Sequence, residues 1–207
     1  MDGVELLHTS MEKNLGVLIS NDLEWSNHVN SAVNKANQKL GQIKHSFQYL
    51  DEKMLKLLFV SLVRPHLEYA APVWNPHWQY DKDKLEKVQQ RATRVESLRG
   101  YSYEERLKKL DLLSLENRRR RGDLIQMFKY FKGFDKIHFY RQPEIIDNER
   151  KIRGHNLKLR RQLISNTQRY NFFTNRVVND WNKLEKEPIN AVTVNHFKNI
   201  IDKSFKY

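Results

Sequence analysis

Apolar residues recur along most of this chain at helical spacing, and only the start and one later stretch depart from it. The start carries a short β-branched run, Leu15-Gly-Val-Leu-Ile19, closed by the turn-forming Ser20-Asn21-Asp22. With Val4, Leu6 and Leu7 ahead of it, the run predicts two short strands. Such a pair does not stand alone as a sheet, so it reads as a hairpin laid on helices or the edge of something larger. From Ser26, a candidate N-cap, the apolar positions Val29, Val33, Ala36, Leu40, Ile43, Phe47 and Leu50 follow at alternating steps of 4 and 3. This predicts an amphipathic helix. The stripe ends after about three heptads, which favours a helix packed on a core over a coiled-coil dimer.

Asp51 opens a second helix whose Met54, Leu55, Leu57, Leu58, Phe59, Val60, Leu62 and Val63 are apolar on all sides, the pattern of a centrally buried helix. Arg64-Pro65 ends or kinks it. A third helix is expected from Asp81 to about Leu98, stopped by Gly100. Ser102 and Glu105 form a capping-box pattern for a short helix to Leu110, and Ser114 caps a longer one closed by Gly133. Periodicity loosens over residues 134–165, with a hairpin expected around Asn156-Leu-Lys-Leu-Arg160. A helix resumes near Tyr170 and runs to Leu184, and Thr193 caps the last one. The expected fold is mainly α.

Composition narrows the function. The chain has 207 residues, 7 Gly, 5 Pro and no Cys. Few Gly and Pro disfavour an all-β domain, and the lack of Cys excludes disulfides, Cys-based zinc sites and a thiol nucleophile. No apolar run reaches membrane-spanning length and no signal-peptide pattern opens the chain, so an intracellular location, nuclear or cytoplasmic, is expected, with no membrane partner. The close acidic pairs Asp51/Glu52, Asp81/Asp83 and Glu104/Glu105 fall at helix starts, where capping explains them better than metal binding. The eight His show no zinc spacing. No phosphate loop, serine-hydrolase motif or Tyr-x-Asp-Asp hairpin is present.

Charge is the informative property. Net charge is +12, and it is uneven: residues 1–100 carry 13 basic and 12 acidic side chains, residues 101–207 carry 24 and 13. Arg118, Arg119, Arg120 and Arg121 cover a full helical turn, so some guanidinium groups face solvent or a ligand. Residues 150–176 hold eight cations (Arg150, Lys151, Arg153, Lys158, Arg160, Arg161, Arg169 and Arg176) and no acid, with Tyr170, Phe172 and Phe173 among them. Cations for phosphates plus rings for bases is the physics of single-strand and hybrid binding. A solvated basic surface with the rings turned inward is the bland alternative; the acid-free run favours the binding surface over it.

The motifs also resemble a known family. Asn14-Leu-Gly-Val-Leu-Ile-Ser-Asn-Asp-Leu-Glu-Trp25 with Ser26-x-His28 is similar to the palm-to-thumb passage of non-LTR retrotransposon reverse transcriptases of the jockey and chicken-repeat type. In the same order follow Ala36-Asn-x-x-Leu-Gly-x-Ile43, Ser61-Leu-Val-Arg-Pro-His-Leu-Glu-Tyr-Ala70 and Pro72-Val-Trp-Asn-Pro76. Next come Leu85-Glu-Lys-Val-Gln-x-Arg-Ala-Thr93, Ser102-Tyr-Glu-Glu-Arg-Leu107 and Arg121-Gly-Asp-Leu-Ile125. Arg153-Gly-His, Asn171-Phe-Phe173, Arg176-Val-Val-Asn-x-Trp-Asn182 and Val194-Asn-x-Phe197 complete the series. The resemblance covers the chain from about Leu15 onward.

The resemblance implies a fragment of an RNA-directed DNA polymerase. Residues 1–25 would be a palm remnant, with Leu15, Gly16 and Val17 in a primer-grip-like position. Residues 26–133 would form a helical thumb-like bundle, and residues 134–207 a small, mostly helical, basic C-terminal segment. The palm aspartates that bind magnesium would lie ahead of residue 1, so this chain would hold no cofactor and would not polymerise alone. Its partners would be RNA, DNA or their hybrid, and the palm and endonuclease portions of the same polyprotein. The contacts expected to hold the template–primer are Lys35, Lys39, Lys44, Arg91, Arg94, Arg118, Arg119, Arg120, Arg121, Arg153, Lys158, Arg160, Arg161, Arg169 and Arg176. The alternative is a non-catalytic helical protein-interaction module or domesticated transposon remnant, meeting a partner through an uncovered edge near residues 15–19 and Trp74/Trp78.

Overall fold

A computed structural model of the chain describes residues 8–146 and 154–205. Val4, Leu6 and Leu7, expected in a strand, and Arg150, Lys151 and Arg153 of the basic run lie outside the described residues. The fold is mainly α, with one antiparallel hairpin at its start. It comprises two compact units. The first takes in residues up to Ala70 and Trp74–Ala92, the second Ala71–Val73 and Thr93–Tyr207. These differ from breaks at 25/26 and 133/134: the hairpin packs with the first helix, and the helix before Gly133 packs with the last.

In the first unit, β1 (Met11–Asn14) pairs with β2 (Val17–Ser20), Asn14 facing Val17. The two residues between them, Leu15 and Gly16, have φ of 46° and 87°. Two left-handed residues in a row make the tight turn whose twist matches a hairpin. Leu15 and Gly16 are therefore turn rather than strand, and only Val17 points inward. The Tyr69 hydroxyl holds the tip by donating to the Leu15 carbonyl at 3.0 Å.

Helix α1 (Ser26–Ser46) buries Val29, Ala32, Ala36, Leu40 and Ile43. Its cap differs from expectation. Trp25 occupies the cap position without a side-chain bond, and Ser26 instead donates to Asp81 at 2.6 Å. That bond fastens α1 to α5 (below), a use that local sequence cannot reveal. Asp51 does cap α2 (Glu52–Leu58), accepting from the Met54 amide at 2.7 Å.

The second helix is not buried all round. Leu55, Phe59, Val63 and Leu67 form its inward stripe, while Met54, Leu57 and Leu62 are exposed. Nor does Pro65 end it. A π turn over Phe59–Val63 leads straight into α3 (Arg64–Glu68), with the Arg64 amide bonded to Phe59 O. The wider turn lets proline sit at the start of α3, where its missing N–H breaks no bond. After α4 (Ala71–Trp74), helix α5 (Gln79–Ala92) ends six residues earlier than its apolar pattern suggests. Lys44 Nζ takes the Arg91 carbonyl at 3.0 Å and so closes the last turn.

In the second unit, α6 (Tyr103–Lys109) opens with the expected capping box of Ser102 and Glu105. The Ser102 backbone N–H, bonded to the Glu105 carboxylate, holds that group below the usual carboxylate pKa. Helix α7 (Leu115–Phe131) is capped by Ser114 and ends at Gly133, φ 72°. The Gly133 and Phe134 amides return to Tyr130 O and Lys129 O at 3.1 and 2.9 Å, closing the helix through a left-handed residue. Short turns follow: α8 (Thr167–Tyr170), α9 (Phe173–Arg176), α10 (Val178–Asn182) and α11 (Lys186–Ile189), then α12 (Val194–Phe205), with the Thr193 hydroxyl bonded to the His196 amide.

The expected single helix from Tyr170 to Leu184 is thus broken. The Asn175 side chain bonds Tyr170 O and the Gln162 amide, competing with the helical ladder. The core joins Leu124, Met127 and Phe128 of α7 to Val178 and Trp181 of α10 and Phe197 and Ile201 of α12. Phe128 and Phe197 stack with centroids 4.2 Å apart.

Candidate nucleic-acid interface

Residues 144–146 and 155–162 set surface cations of the second unit in place. No hairpin forms within residues 156–160. Instead, Leu159 bridges Ile145, with the Ile146 amide on Lys158 O and the Arg160 amide on Glu144 O, both at 2.8 Å. Asn182 then treats Leu159 as a strand neighbour would: Oδ1 accepts its N–H and Nδ2 donates to its carbonyl, both at 2.8 Å. Trp181 Nε1 donates to Leu157 O at 2.7 Å. His155 completes the fastening, accepting the Leu157 amide at Nδ1 and reaching Trp181 O through Nε2. In an extended segment side chains alternate, so with Leu159 turned into the core, Arg160 is exposed and Lys158 half-exposed.

Past Arg160, the Gln162 amide bonds Asn175 Oδ1 at 3.0 Å, fixing Arg161 and Gln162 beside α8. The Arg161 guanidinium lies 4.5 Å from the Tyr170 ring centroid and donates to its hydroxyl. The Arg169 guanidinium lies 5.2 Å from the Phe172 centroid and donates to Gln162 Oε1 at 2.9 Å. Tyr170 and Phe172 are 38% and 40% exposed, whereas Phe173 is buried in the core. Of the aromatics in the basic run, these two present faces outward.

The arginines of α7 are placed differently. Arg119 is buried. Arg120 binds Asp180 through Nε and Nη2 at 2.8 and 2.7 Å, which raises its pKa further. Arg121 binds Asp202 bidentately, and Arg176 does the same to Asp123 while Nη2 also reaches Pro72 O at 2.7 Å. These guanidinium groups fasten α7 to α9, α10 and α12. Arg118 is half-buried on the same helix, and Arg94 is exposed ahead of α6.

In the first unit Lys35, Lys39, Lys44 and Arg91 are exposed. Lys39 reaches Gln42, Lys44 closes α5 and Arg91 donates to Asn37 Oδ1 at 3.1 Å. This unit holds 11 basic and 11 acidic side chains, and the second holds 26 and 14. The entire excess of +12 therefore belongs to the second unit. Reading the chain by halves located the excess but could not show that it follows a structural division. Of the residues that position the cations, His155 and Asn182 enter the sequence reading only inside family motifs, and Gln162 and Asn175 not at all. An asparagine-rich stretch amid helical spacing was the available signal.

The acidic pairs serve the fold. Asp51 caps α2, Glu105 closes its capping box, and Asp81 accepts from Ser26 and Lys84. Among the described residues, no three His, Asp or Glu gather as a metal site requires. Nor is any helix among them long and apolar enough to cross a membrane. Burial holds His28 and His155 below the ordinary histidine pKa. Comparison with family models, curated proteins and solved structures yields no match.

Proposed function

We propose that this chain binds RNA, DNA or their hybrid through its second compact unit, as a portion of a non-LTR retrotransposon reverse transcriptase that does not itself carry the polymerase carboxylates. The observation that supports the binding is the partition of charge: all of the excess lies in one unit, and part of it, Arg161 and Arg169, stands over exposed rings. The ordered motifs support the reverse-transcriptase reading. Lys158, Arg160, Arg161 and Arg169 neutralise phosphates and release counterions, so binding is read from backbone and shape rather than sequence.

The test is binding of a labelled RNA–DNA hybrid at about 50 and about 200 mM salt, with primer extension on the same sample. The proposal expects binding that weakens steeply with salt and no extension. No binding at low salt refutes it, and extension refutes the non-catalytic part.

A second reading is a protein-interaction module. Trp74, one of its sequence motives, is fully buried, but Met54, Leu57 and Leu62 leave an apolar ridge on the surface of the first unit. A stable dimer indifferent to nucleic acid would favour it.

A further inference from the structure

Tyr170 and Phe172 stand two residues apart at the junction of α8 and α9, each with an arginine across one face. Exposed rings recur over this chain, Tyr49, Phe134 and Tyr140 among them, and what distinguishes Tyr170 and Phe172 is the arginine held over each. Exposing an aromatic face to water forgoes burial that the core could have provided, as the neighbouring Phe173 shows by turning inward. Here the rings are held rather than loose. Asn166 caps α8 through the Arg169 amide at 2.9 Å, Arg161 grips the Tyr170 hydroxyl, and Gln162 steadies Arg169.

We infer that Tyr170 and Phe172, each backed by an arginine, form a stacking platform for the bases of a single-stranded stretch of RNA or DNA. This rests on the nucleic-acid reading of the second unit and specifies what part of the ligand this site takes. Three features carry it. Residues 150–179 contain no acidic side chain, and the nearby Glu144 lies 3.9 Å from Arg160 rather than on Arg161 or Arg169. Arg160, exposed on the extended segment just before Arg161 and only loosely paired with Glu144 at 3.9 Å, adds a cation next in sequence to the one on Tyr170. And a ring can take a base only when that base has left its own stack; in a duplex both faces of each base are covered. A guanidinium over a ring also places N–H donors where they can reach phosphate beside a stacked base.

Stacking is tolerant of sequence, and it does not read the 2′-hydroxyl. The same platform therefore takes unpaired RNA and unpaired DNA, such as a template ahead of a duplex or a displaced strand.

The experiment uses the full chain and four fluorescent probes of equal length: single-stranded RNA, single-stranded DNA, a blunt RNA–DNA hybrid and poly-glutamate. Affinities are measured for the natural chain, for Tyr170→Ala/Phe172→Ala and for Tyr170→Phe/Phe172→Tyr. The alanine pair is expected to lose roughly ten- to a hundredfold in affinity for both single strands and to hold the hybrid within about twofold. The ring-preserving pair is expected to bind like the natural chain. Circular dichroism of each variant checks that the fold is intact, and a 2-aminopurine base in the single strand reports stacking by quenching in the natural chain and the ring-preserving pair alone. Unchanged single-strand affinity in the alanine pair, or poly-glutamate bound as tightly as RNA, overturns the platform. Hybrid binding that survives such a result leaves the broader proposal standing; failure of the natural chain on all three nucleic acids removes both.

Discussion

Arg176 grips both carboxylate oxygens of Asp123, Nε to Oδ2 at 2.8 Å and Nη2 to Oδ1 at 2.9 Å, across 53 residues of sequence. Their side chains are only 15% and 7% exposed. The pair joins α9 to the middle of α7. Removing one member leaves the other charge buried, which costs about 3–5 kcal/mol. Asp123→Ala is therefore expected to lower the urea midpoint of the second unit sharply. Arg176→Lys should destabilise as well, because a lysine cannot form the fork. Replacing both residues with apolar ones should recover most of the loss, and a double-mutant cycle measures the coupling.

Arg120 and Asp180 form the same kind of fork nearer the surface, with side chains 47% and 23% exposed. Such a pair contributes about 0.2–1 kcal/mol. Arg120→Gln is expected to shift stability little and to leave hybrid binding unchanged, since this guanidinium is engaged within the chain. A loss of binding comparable to that of Arg161→Gln would show that the arginines of α7 act on the ligand instead.

Stability is expected to fall on acidification. Burial, reinforced by Lys35, lowers the His28 pKa; burial also lowers that of His155, outweighing the opposing bond to Trp181 O. Each folded-state value lies below the unfolded one, so the unfolded chain takes up more protons as the pH drops through about 6.5. The histidine contribution is complete above that pH and is lost as pH falls toward the folded-state values. Protonation also removes the lone pair with which His155 Nδ1 accepts the Leu157 amide. Urea midpoints at about pH 7.5 and about pH 5.5 should show the drop. His155→Gln, which retains a donor and an acceptor without titrating, should start lower and vary less.

Gly133 closes α7 at φ 72°, and a Cβ built there meets nothing within 4 Å. The cost of Gly133→Ala is then purely conformational, about 1 kcal/mol, and Gly133→Asn should cost less. Thermal unfolding of the two variants gives the comparison.

Much of the local structure was legible in sequence. Asp51, Ser102 with Glu105, Ser114, Thr193 and Gly133 all act within a few residues of themselves, so their patterns carry their meaning. The inward stripe of α1 was legible for the same reason. What escaped was tertiary. Ser26 has the look of a cap but bonds Asp81, 55 residues on. The all-round apolar helix after Asp51 was read as buried, yet one face stays open, because composition cannot say how many neighbours a helix finds. The arginine run of α7 was read as a ligand surface. Its acids, Asp180 and Asp202, lie 60 and 81 residues away, and periodicity gives no view of such partners. Within the acid-free run the same limit holds: Arg160 has Glu144 at 3.9 Å and Arg176 is held by Asp123, 16 and 53 residues away, while Arg161, Tyr170 and Phe172 stand at the surface.

The nucleic-acid binding proposed for this chain rests on the second unit, through Lys158, Arg160, Arg161 and Arg169. The most direct measurement compares hybrid affinity and its salt slope in two fourfold variants. One changes those four residues to Gln, and the other changes Lys35, Lys39, Lys44 and Arg91, which sit in the unit of zero net charge. The first variant is expected to lose most of its affinity and to flatten the slope of log K against log salt by about 0.9 for each phosphate contact removed, while the second binds like the natural chain. Retention of affinity by the first variant together with loss by the second would contradict the proposal.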